Sequence, residues 1–242
     1  MAAGLQHKEH HDREDHWIPL SDLMAGLMMV FLLIAMIYMV QVEAETEQIK
    51  EVALVYEELK QELYEDLYAE FRDDLPKWRA ELDRESLTLT FGEPDVLFEI
   101  GSADLRPRFQ EILGDFFPRY ARILSSPKYR DDIEEIRIEG HTSSSWQTRA
   151  SEEDSYFLNM QLSQARTRST LRYVLTLPEV QEDVGWLRRN VTANGLSFSR
   201  LILTPEGEED ADASRRVEFR VRTNAEEKIA QIVDVSGESS AE

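Results

Sequence analysis

The feature that most constrains this chain is an apolar run near its N-terminus. Every position from Leu23 to Val40 is apolar, aromatic or glycine, within the stretch WIPLSDLMAGLMMVFLLIAMIYMVQV that begins at Trp17. A helix of about 20 such residues is long enough to cross the roughly 30 Å hydrocarbon core of a bilayer. We therefore predict a transmembrane helix over residues 17–42.

The alternative interpretation of this run is a secretory signal peptide. A signal peptide has a basic segment before the apolar run and small residues at a cleavage site after it. Here the preceding segment, HKEHHDREDH, carries both charges, and the following QVEAETEQ is a poor cleavage site. Lys8 and Arg13 precede the run, whereas the next basic residue is Lys50. The flanks thus favour an uncleaved anchor, with a cytoplasmic tail over residues 1–16 and everything after about Val42 on the outer side of the cytoplasmic membrane.

Composition excludes several classes of function. The chain has 48 Asp and Glu against 27 Lys and Arg, a net charge of −21, whereas a nucleic-acid-binding surface must be basic. There is no cysteine, which excludes disulfides and thiolate metal sites. Four of the five histidines lie in the N-terminal tail, and His-rich tracts can bind metal. We interpret the tail as solvated and expect no resident metal or cofactor.

One carboxylate, Asp22, lies at the start of the apolar run, directly after Ser21. An ionised carboxylate within a span costs about 2.5–3.5 kcal/mol, so such residues usually face a protein interior and mark ion or proton paths. A single span cannot enclose a path by itself, so this interpretation requires a partner with further spans. The alternative is that Asp22 caps the helix at the level of the lipid headgroups, with Pro19 and Ser21 forming the turn.

The acidic segment after the span predicts a helical stalk over residues 43–84. It has neither Gly nor Pro before Pro76, and its apolar residues alternate three and four positions apart, which is typical of a coiled-coil seam. The seam consists of Ile49, Val52, Tyr56, Leu59 and Leu63. We predict that it pairs with a second copy of the chain. The alternative is that the helix packs on its own globular domain.

Residues 85–224 predict an α+β two-layer sandwich with the element order β-α-β-α-β-β. The strands come from LTLTF, IEEIRIEG, NVTANGLSF and RRVEFRVR, and the two helices from PRFQEILGDFFPRYARIL and DSYFLNMQLSQARTRSTLRYVLTL. We expect Pro118 to interrupt the first of these helices. Residues 225–242 have low complexity and predict a mobile tail.

Four stretches of this region resemble, in order, the OmpA-like peptidoglycan-binding domain. They are VLFEIGSADLRP, IEGHT, NMQLSQAR and SRRVEFRV. The resemblance implies a domain that binds the stem peptide of peptidoglycan. The site residues that it implies are Asn159, Leu162, Ser163 and Arg166, together with position 143.

Position 143 departs from the family pattern. In the family an Asp directly after Gly-His-Thr works with the helix arginine to hold the amine and the carboxylate of diaminopimelate. This chain has Arg166, but Ser143 stands where that Asp would be. Asp154 or Glu153 is a candidate for the missing carboxylate. For Arg166, the alternative to ligand binding is a structural salt bridge.

A span followed by an OmpA-like domain resembles the MotB type of ion-driven motor subunit. In that family an Asp near the start of the single span carries the ion, which is the place that Asp22 occupies, with Ser21 beside it. Small and polar residues usually surround the flagellar Asp. The context WIPLSDLMAGLMMVF looks closer to the MotB-like subunits of Zorya anti-phage defence systems.

The resemblance implies a subunit that is not an enzyme. It implies a homodimer in the bacterial inner membrane, surrounded by five copies of a multi-span partner. The complex would pass H⁺ or Na⁺, and the homodimer would be anchored to peptidoglycan. Cytoplasmic defence effectors would act downstream. A flagellar stator subunit and a passive peptidoglycan tether are the alternatives. Catalysis is disfavoured because His141 is the only histidine of the folded region and no catalytic spacing accompanies it.

Overall fold

The computed structural model describes residues 17–92, 97–99, 101–146 and 151–224. The predictions for the two tails, at 1–16 and 225–242, lie outside these residues. The chain divides into two compact units, one that extends to Ala53 and one that begins at Leu54. Helix α1 (Trp17–Phe71) contributes to both units.

The first unit contains the apolar part of α1. Its stretch Ser21–Ala44 is long and apolar enough to cross a membrane, and no part of its most apolar window is buried in the protein. Met29, for example, is 75% exposed, and Leu23 is 70% exposed. A contiguous apolar surface of this kind marks contact with lipid or with other protein. The prediction of one N-terminal apolar helix is confirmed.

The second unit is built on a five-stranded sheet. The strands are β1 (Ala80–Asp83), β2 (Thr88–Phe91), β3 (Ile133–Gly140), β4 (Val191–Gly195) and β5 (Val217–Thr223). Their order across the sheet is β1-β2-β5-β3-β4. Neighbours are antiparallel, except that β3 and β4 run parallel.

Helices of very different lengths connect the strands. They are α2 (Leu75–Trp78), α3 (Pro107–Leu124), α4 (Glu152–Val174), a 3₁₀ turn (Pro178–Val180), α5 (Val184–Asn190) and α6 (Ala211–Ser214). The expectation that Pro118 interrupts α3 is wrong, since the helix continues to Leu124. Burial of Phe116, Phe117 and Tyr120 around the proline offsets the one hydrogen bond that it removes.

The sheet has one apolar and one charged face. Register pairs Ile138 of β3 with Phe219 of β5, and both side chains are fully buried. Phe219 packs edge-on against Phe116 of α3, with ring centroids 5.1 Å apart. The opposite face carries the alternate residues of the same strands, among them Glu139 and Glu218. The predicted α+β two-layer sandwich is therefore confirmed.

Strand β1 was absent from the predicted element order and adds a fifth strand at the edge of the sheet. It forms an antiparallel pair with β2, in which Ala80 faces Phe91. The chain enters β1 at Arg79 and enters β2 after Leu87, and both residues have a φ of 50°. Turns with positive φ are usually marked by glycine, and this segment has none, so the sequence does not signal the hairpin.

The end of α1 belongs to the core of the sandwich. Leu63, Leu67 and Phe71 are buried, and the ring centroid of Phe71 lies 5.3 Å from that of Phe116. The compact unit begins at Leu54, about thirty residues before the predicted boundary at residue 85. The amphipathic pattern of α1 continues into the domain, because one apolar stripe of a helix can pack either on a partner helix or on an adjacent sheet.

The seam prediction is corrected over its second half. Leu63 is 1% exposed in the core of its own domain, and Leu59 packs against that core. Tyr56 donates its hydroxyl hydrogen to Asn224 Oδ1, at 2.6 Å. From Tyr56 onward the helix thus packs on its own domain, as in the alternative interpretation. The side chains of Ile49 and Val52 lie outside the described residues.

Polar contacts also hold the end of α1 to α3. Arg119 donates to the carboxylate of Glu70 at 2.6 Å and to the carboxylate of Asp74 at 3.0 Å, while its guanidinium lies 4.9 Å from the centre of the Phe71 ring. Charge-assisted hydrogen bonds to one planar group fix its orientation. The last turns of α1 are therefore an integral part of the domain.

Candidate functional site

Asp22 is an exposed carboxylate inside α1. It lies five residues after the helix begins at Trp17, so it does not occupy the N-cap position that the alternative interpretation requires. Ala25 and Gly26, three and four residues further on, share its face of the helix. Apart from the adjacent backbone of its own helix, nothing among the described residues lies within 4 Å of the position that a Cβ on Gly26 would take. Small residues of this kind let a second membrane helix approach closely.

Ser21 is the first residue of the apolar stretch and is exposed. It is displaced from Asp22 by about 100° around the helix axis. A neighbouring helix that contacts both side chains must therefore sit over the groove between them.

The second candidate site lies where α4 crosses the ends of β3 and β4. This approach is very close, because a Cβ at Gly195 would lie 2.2 Å from the backbone nitrogen of Gln164, and one at Gly140 would lie 2.7 Å from Thr167 Cγ2. Only glycine fits at such distances. The glycine of the IEGHT motif therefore serves helix packing, and it sets the position of α4 over the strand ends.

Two of the predicted site residues use their hydroxyls inside the protein. Ser163, 1% exposed, donates to the carbonyl of Met160 at 3.0 Å and accepts the backbone N–H of Ser197 at 3.1 Å. Ser143, 3% exposed, has its Oγ 2.9 Å from Ser145 Oγ. These geometries give both serines a part in holding the loops around the site.

Asn159 and Leu162 lie on the same stretch of α4. Asn159 is 3% exposed, and its Nδ2 has no hydrogen-bond partner among the described residues. A buried amide donor without a partner costs about 1–3 kcal/mol, which a bound acceptor recovers. Leu162 is half-buried. Asn159 is thus available to a ligand that reaches the interior of the site.

Arg166 is the cation of the site. Its guanidinium lies 4.9 Å from the centre of the Phe98 ring, while Nε donates to the carbonyl of Ser102 at 2.9 Å and NH2 to that of Glu99 at 3.3 Å. These contacts leave part of its five-donor fork unused. In the part of the chain that is described, no carboxylate lies within 4.0 Å of it. The structural salt bridge proposed as the alternative is not present there.

The surroundings of Arg166 are positively charged. Burial, and then the charge of Arg215, lower the pKa of Arg166 to about 10, so it remains a cation at neutral pH. Both arginines line one cleft with Phe98, His141 and Arg216. Arg215 donates through NH2 to the carboxylate of Asp212, while its Nε is buried without a partner among the described residues. Paired, incompletely neutralised guanidinium groups favour a carboxylate or another anion.

A buried charged network adjoins this cleft on the polar face of the sheet. Glu139 and Glu218 face each other across β3 and β5, and their oxygens lie with a His141 nitrogen within 4.8 Å of one another. Arg216 donates to Glu218 at 2.6 Å, and Arg200 donates to Glu139 at 3.2 Å. Burial of Glu218 raises its pKa, but His141 and Arg216 outweigh burial and lower it to about 2.

The side chains of Glu139, His141 and Glu218 are of the types that bind metal ions, and they lie close enough together to hold one. The surrounding cations are Arg137, Arg200, Arg216 and Arg220. They outnumber the two carboxylates, so a divalent cation would meet net repulsion. We interpret the cluster as an ion-pair network. The sequence motifs do not include this network as such, although charges that alternate with apolar residues in IRIEGH and RRVEFR indicate a charged face of the sheet.

A carboxylate that the motifs did not single out lies beside position 143. Glu209 Oε1 accepts the backbone N–H of Ser144 at 2.8 Å, and Glu209 Oε2 accepts the hydroxyl of the same serine. The two residues are 65 positions apart in the sequence. Of the carboxylates suggested by sequence, Asp154 accepts the Ser151 hydroxyl at 2.7 Å at the start of α4. Glu153 is exposed.

An apolar helix of membrane-spanning length with one carboxylate, followed by an α+β sandwich with a basic cleft, is the arrangement that the resemblance to MotB-type subunits with an OmpA-like domain implies. The particular family follows from sequence similarity. The chain is 46% identical to the Zorya protein ZorB of Escherichia coli over 230 residues. The aligned region covers 95% of this chain and 97% of that relative. The chain belongs to the ZorB family. No family model matches it.

Solved structures similar to this chain include three cell-envelope proteins. A MotB-like protein from Desulfovibrio vulgaris is 24% identical, with a TM-score of 0.48 over 69% of this chain and 95% of that one. The cell wall anchor of the T6SS from Pseudomonas aeruginosa is 26% identical, with a TM-score of 0.43 over 65% and 96%. The periplasmic domain of Helicobacter pylori MotB is 16% identical, with a TM-score of 0.43 over 64% and 86%.

Proposed function

We propose that this chain is the ion-carrying, wall-anchored subunit of a membrane motor complex in anti-phage defence. Asp22 carries H⁺ or Na⁺, and the α+β domain holds peptidoglycan. The observation that carries the proposal is one exposed carboxylate inside an apolar helix, on a chain of the ZorB family. Membership in that family favours defence over flagellar rotation. The chain acts in the inner membrane with its N-terminus in the cytoplasm, and it uses no resident cofactor.

The ion path requires other subunits. An exposed Asp22 within lipid is unfavourable, so its stable partner is a polar surface on neighbouring membrane helices. We propose a MotA-like or ZorA-like multi-span partner, five copies around two of these chains. Passage of the ion from one side to the other through Asp22 moves the ring relative to the pair. This movement is relayed to cytoplasmic effectors.

The anchor is explained by the basic cleft around Arg166. A stem peptide carries carboxylates, and a guanidinium already oriented by Phe98, Glu99 and Ser102 binds one without further loss of side-chain freedom. The lowered pKa of Arg166 also favours a bound carboxylate, because the negative charge would offset the repulsion between Arg166 and Arg215. This arrangement needs no catalysis, and we propose a binding function alone.

Arg166→Ala is expected to weaken binding to purified cell-wall sacculi about tenfold or more, because charge-assisted hydrogen bonds are lost. Binding is measured by co-sedimentation over a range of sacculus concentrations. Arg168→Ala is the matched control, since Arg168 is exposed on the same helix and the change in charge is identical. Equal binding by the two variants, both folded as judged by circular dichroism, would make Arg166 a structural residue.

The pairing of two chains is expected to run through the first part of the predicted seam only. Val52→Cys should form a disulfide with a second copy in membranes, whereas Leu59→Cys should not, because Leu59 packs on its own domain. Glu58→Cys, at an exposed position, is the control. The chain has no native cysteine to interfere. Absence of the Val52 crosslink, or equal crosslinking at all three positions, would contradict a register-fixed pair.

A further inference from the structure

We infer that Glu209 receives an ammonium group of the peptidoglycan stem peptide at the edge of the site, beside Ser143. The inference rests on the proposed peptidoglycan function and adds a carboxylate from a distant loop to the site. It also assigns a role to a residue that belongs to none of the sequence motifs described above.

Glu209 is held against the loop that follows β3. Its two oxygens accept the backbone N–H and the hydroxyl of Ser144, so one residue donates a hydrogen bond to each oxygen of the carboxylate. Ser144 directly follows Ser143, whose own side chain is buried and turned to Ser145. The loop therefore offers a carboxylate at its surface although it contains none of its own among residues 141–146.

The segment that carries Glu209 is a compact turn with fixed ends. Glu209 forms a bridge with Leu203, and the N–H of Thr204 donates to the carbonyl of Glu208 at 2.8 Å. The turn closes at Gly207, which has a φ of +87° and donates to the carbonyl of Thr204 at 2.9 Å. Backbone hydrogen bonds thus hold the turn and Ser144 holds the carboxylate, which reduces the entropy lost when a ligand binds.

The carboxylate of Glu209 also retains acceptor capacity. An ionised carboxylate has about four acceptor positions, and Ser144 occupies one on each oxygen. Ser144 is neutral, and among the described residues no lysine or arginine lies within 4.0 Å of Glu209. Glu209 is partly buried but keeps some exposure to solvent, so a ligand at the surface can contact it. A positioned carboxylate without a cation fits a primary ammonium group.

Glu209 is better suited to this role than the two carboxylates near the start of α4. Asp154 is bonded to Ser151, to whose hydroxyl its own N–H also donates at 3.1 Å. That arrangement caps α4 and uses Asp154 locally. Glu153 is exposed in the first turn of the helix, where the partial positive charge of the helix end competes with an ammonium ligand.

The test compares native sacculi with sacculi whose free amines have been acetylated, so that their ammonium charge is removed. Glu209→Gln is expected to bind native sacculi about tenfold more weakly than the unmodified protein, since one charge-assisted contact is lost. Acetylation is expected to weaken the unmodified protein by a similar factor and to leave Glu209→Gln unchanged. Glu206→Gln, in the same turn, is the control with the same change in charge and should behave as the unmodified protein.

A purely structural role for Glu209 would not make its effect depend on the charge of the ligand. Equal binding of native sacculi by Glu209→Gln and Glu206→Gln overturns the inference and leaves the proposed anchoring function in place. Acetylation that weakens Glu209→Gln as much as the unmodified protein also overturns it. Failure of the unmodified protein to bind native sacculi removes the anchoring function itself. Ser144→Ala, which keeps the charge but releases the carboxylate, should fall between the unmodified protein and Glu209→Gln.

Discussion

Asp22→Asn is expected to abolish protection against phage while the chain still reaches the membrane in normal amounts. The amide keeps the size and hydrogen-bonding shape of the side chain but can neither take up and release a proton nor bind a cation by charge. If Asp22 carries the ion, the loss is complete because no second carboxylate lies in the stretch 23–42.

The measurement is a phage challenge of cells that express the whole defence operon, with membrane levels of the variant checked by immunoblot. Glu43→Gln is the matched control, because Glu43 is an exposed carboxylate at the far end of the same apolar stretch. It should protect like the unmodified protein. A passive tether would tolerate both changes, so full protection by Asp22→Asn would contradict ion carriage and favour the tether.

Regular periodicity explains why most of the sandwich is predictable from the sequence. The segment IEEIRIEG alternates apolar and polar residues, and the strand that it forms has the same bounds, Ile133–Gly140. The helix predicted from PRFQEILGDFFPRYARIL runs from Pro107 to Leu124, although it continues through Pro118, where an interruption was expected. In these segments the apolar residues recur with the period of the element that they form, so the pattern of side chains and the local conformation agree.

The assignment of α1 is less predictable, because its apolar stripe has two possible partners. A three-and-four spacing describes a helix with one apolar face, but it does not specify whether a second chain or a sheet covers that face. Here the sandwich covers Leu63, Leu67 and Phe71. The aromatic neighbour of Phe71, Phe116, lies 45 residues further along the chain, beyond the reach of local patterns.

Some residues of the candidate site are predictable from sequence motifs, and others are not. Arg166 is recognisable from its motif, but its contacts with Phe98, Glu99 and Ser102 depend on the packing of a loop that precedes α3. Glu209 could not be assigned, because its position beside Ser144 depends on two loops that meet only in the folded domain. Long-range contacts between loops leave no periodic signal in a single sequence.

A fragment of residues 54–224 is expected to fold by itself, whereas one of residues 85–224 is not. The shorter fragment lacks strand β1 and the buried side chains of Leu63, Leu67, Phe71, Leu75 and Trp78. Each large apolar side chain contributes roughly 1.5–3 kcal/mol on burial. Five such losses are comparable to the whole free energy of unfolding of a typical domain, about 5–15 kcal/mol.

The two fragments are compared by urea unfolding, followed by circular dichroism and by tryptophan fluorescence. The longer fragment should show one cooperative transition with the same midpoint by both probes. Phe71→Ala in the longer fragment is expected to lower its free energy of unfolding by about 3–5 kcal/mol, since Phe71 packs against Trp78 and Phe116. Tyr68→Ala, at a position 47% exposed on the same helix, is the control and should cost much less.

Cooperative unfolding of the 85–224 fragment at the midpoint of the longer one would restore the boundary predicted from sequence. The end of α1 would then be an appendage, free to separate from the sandwich. If instead the end of α1 is required for folding, the link that follows the span ends at residue 53, where the domain begins, and not at residue 84. Arg119 and the aromatic core would then make the last turns of α1 a part of the anchored domain that cannot be removed without unfolding it.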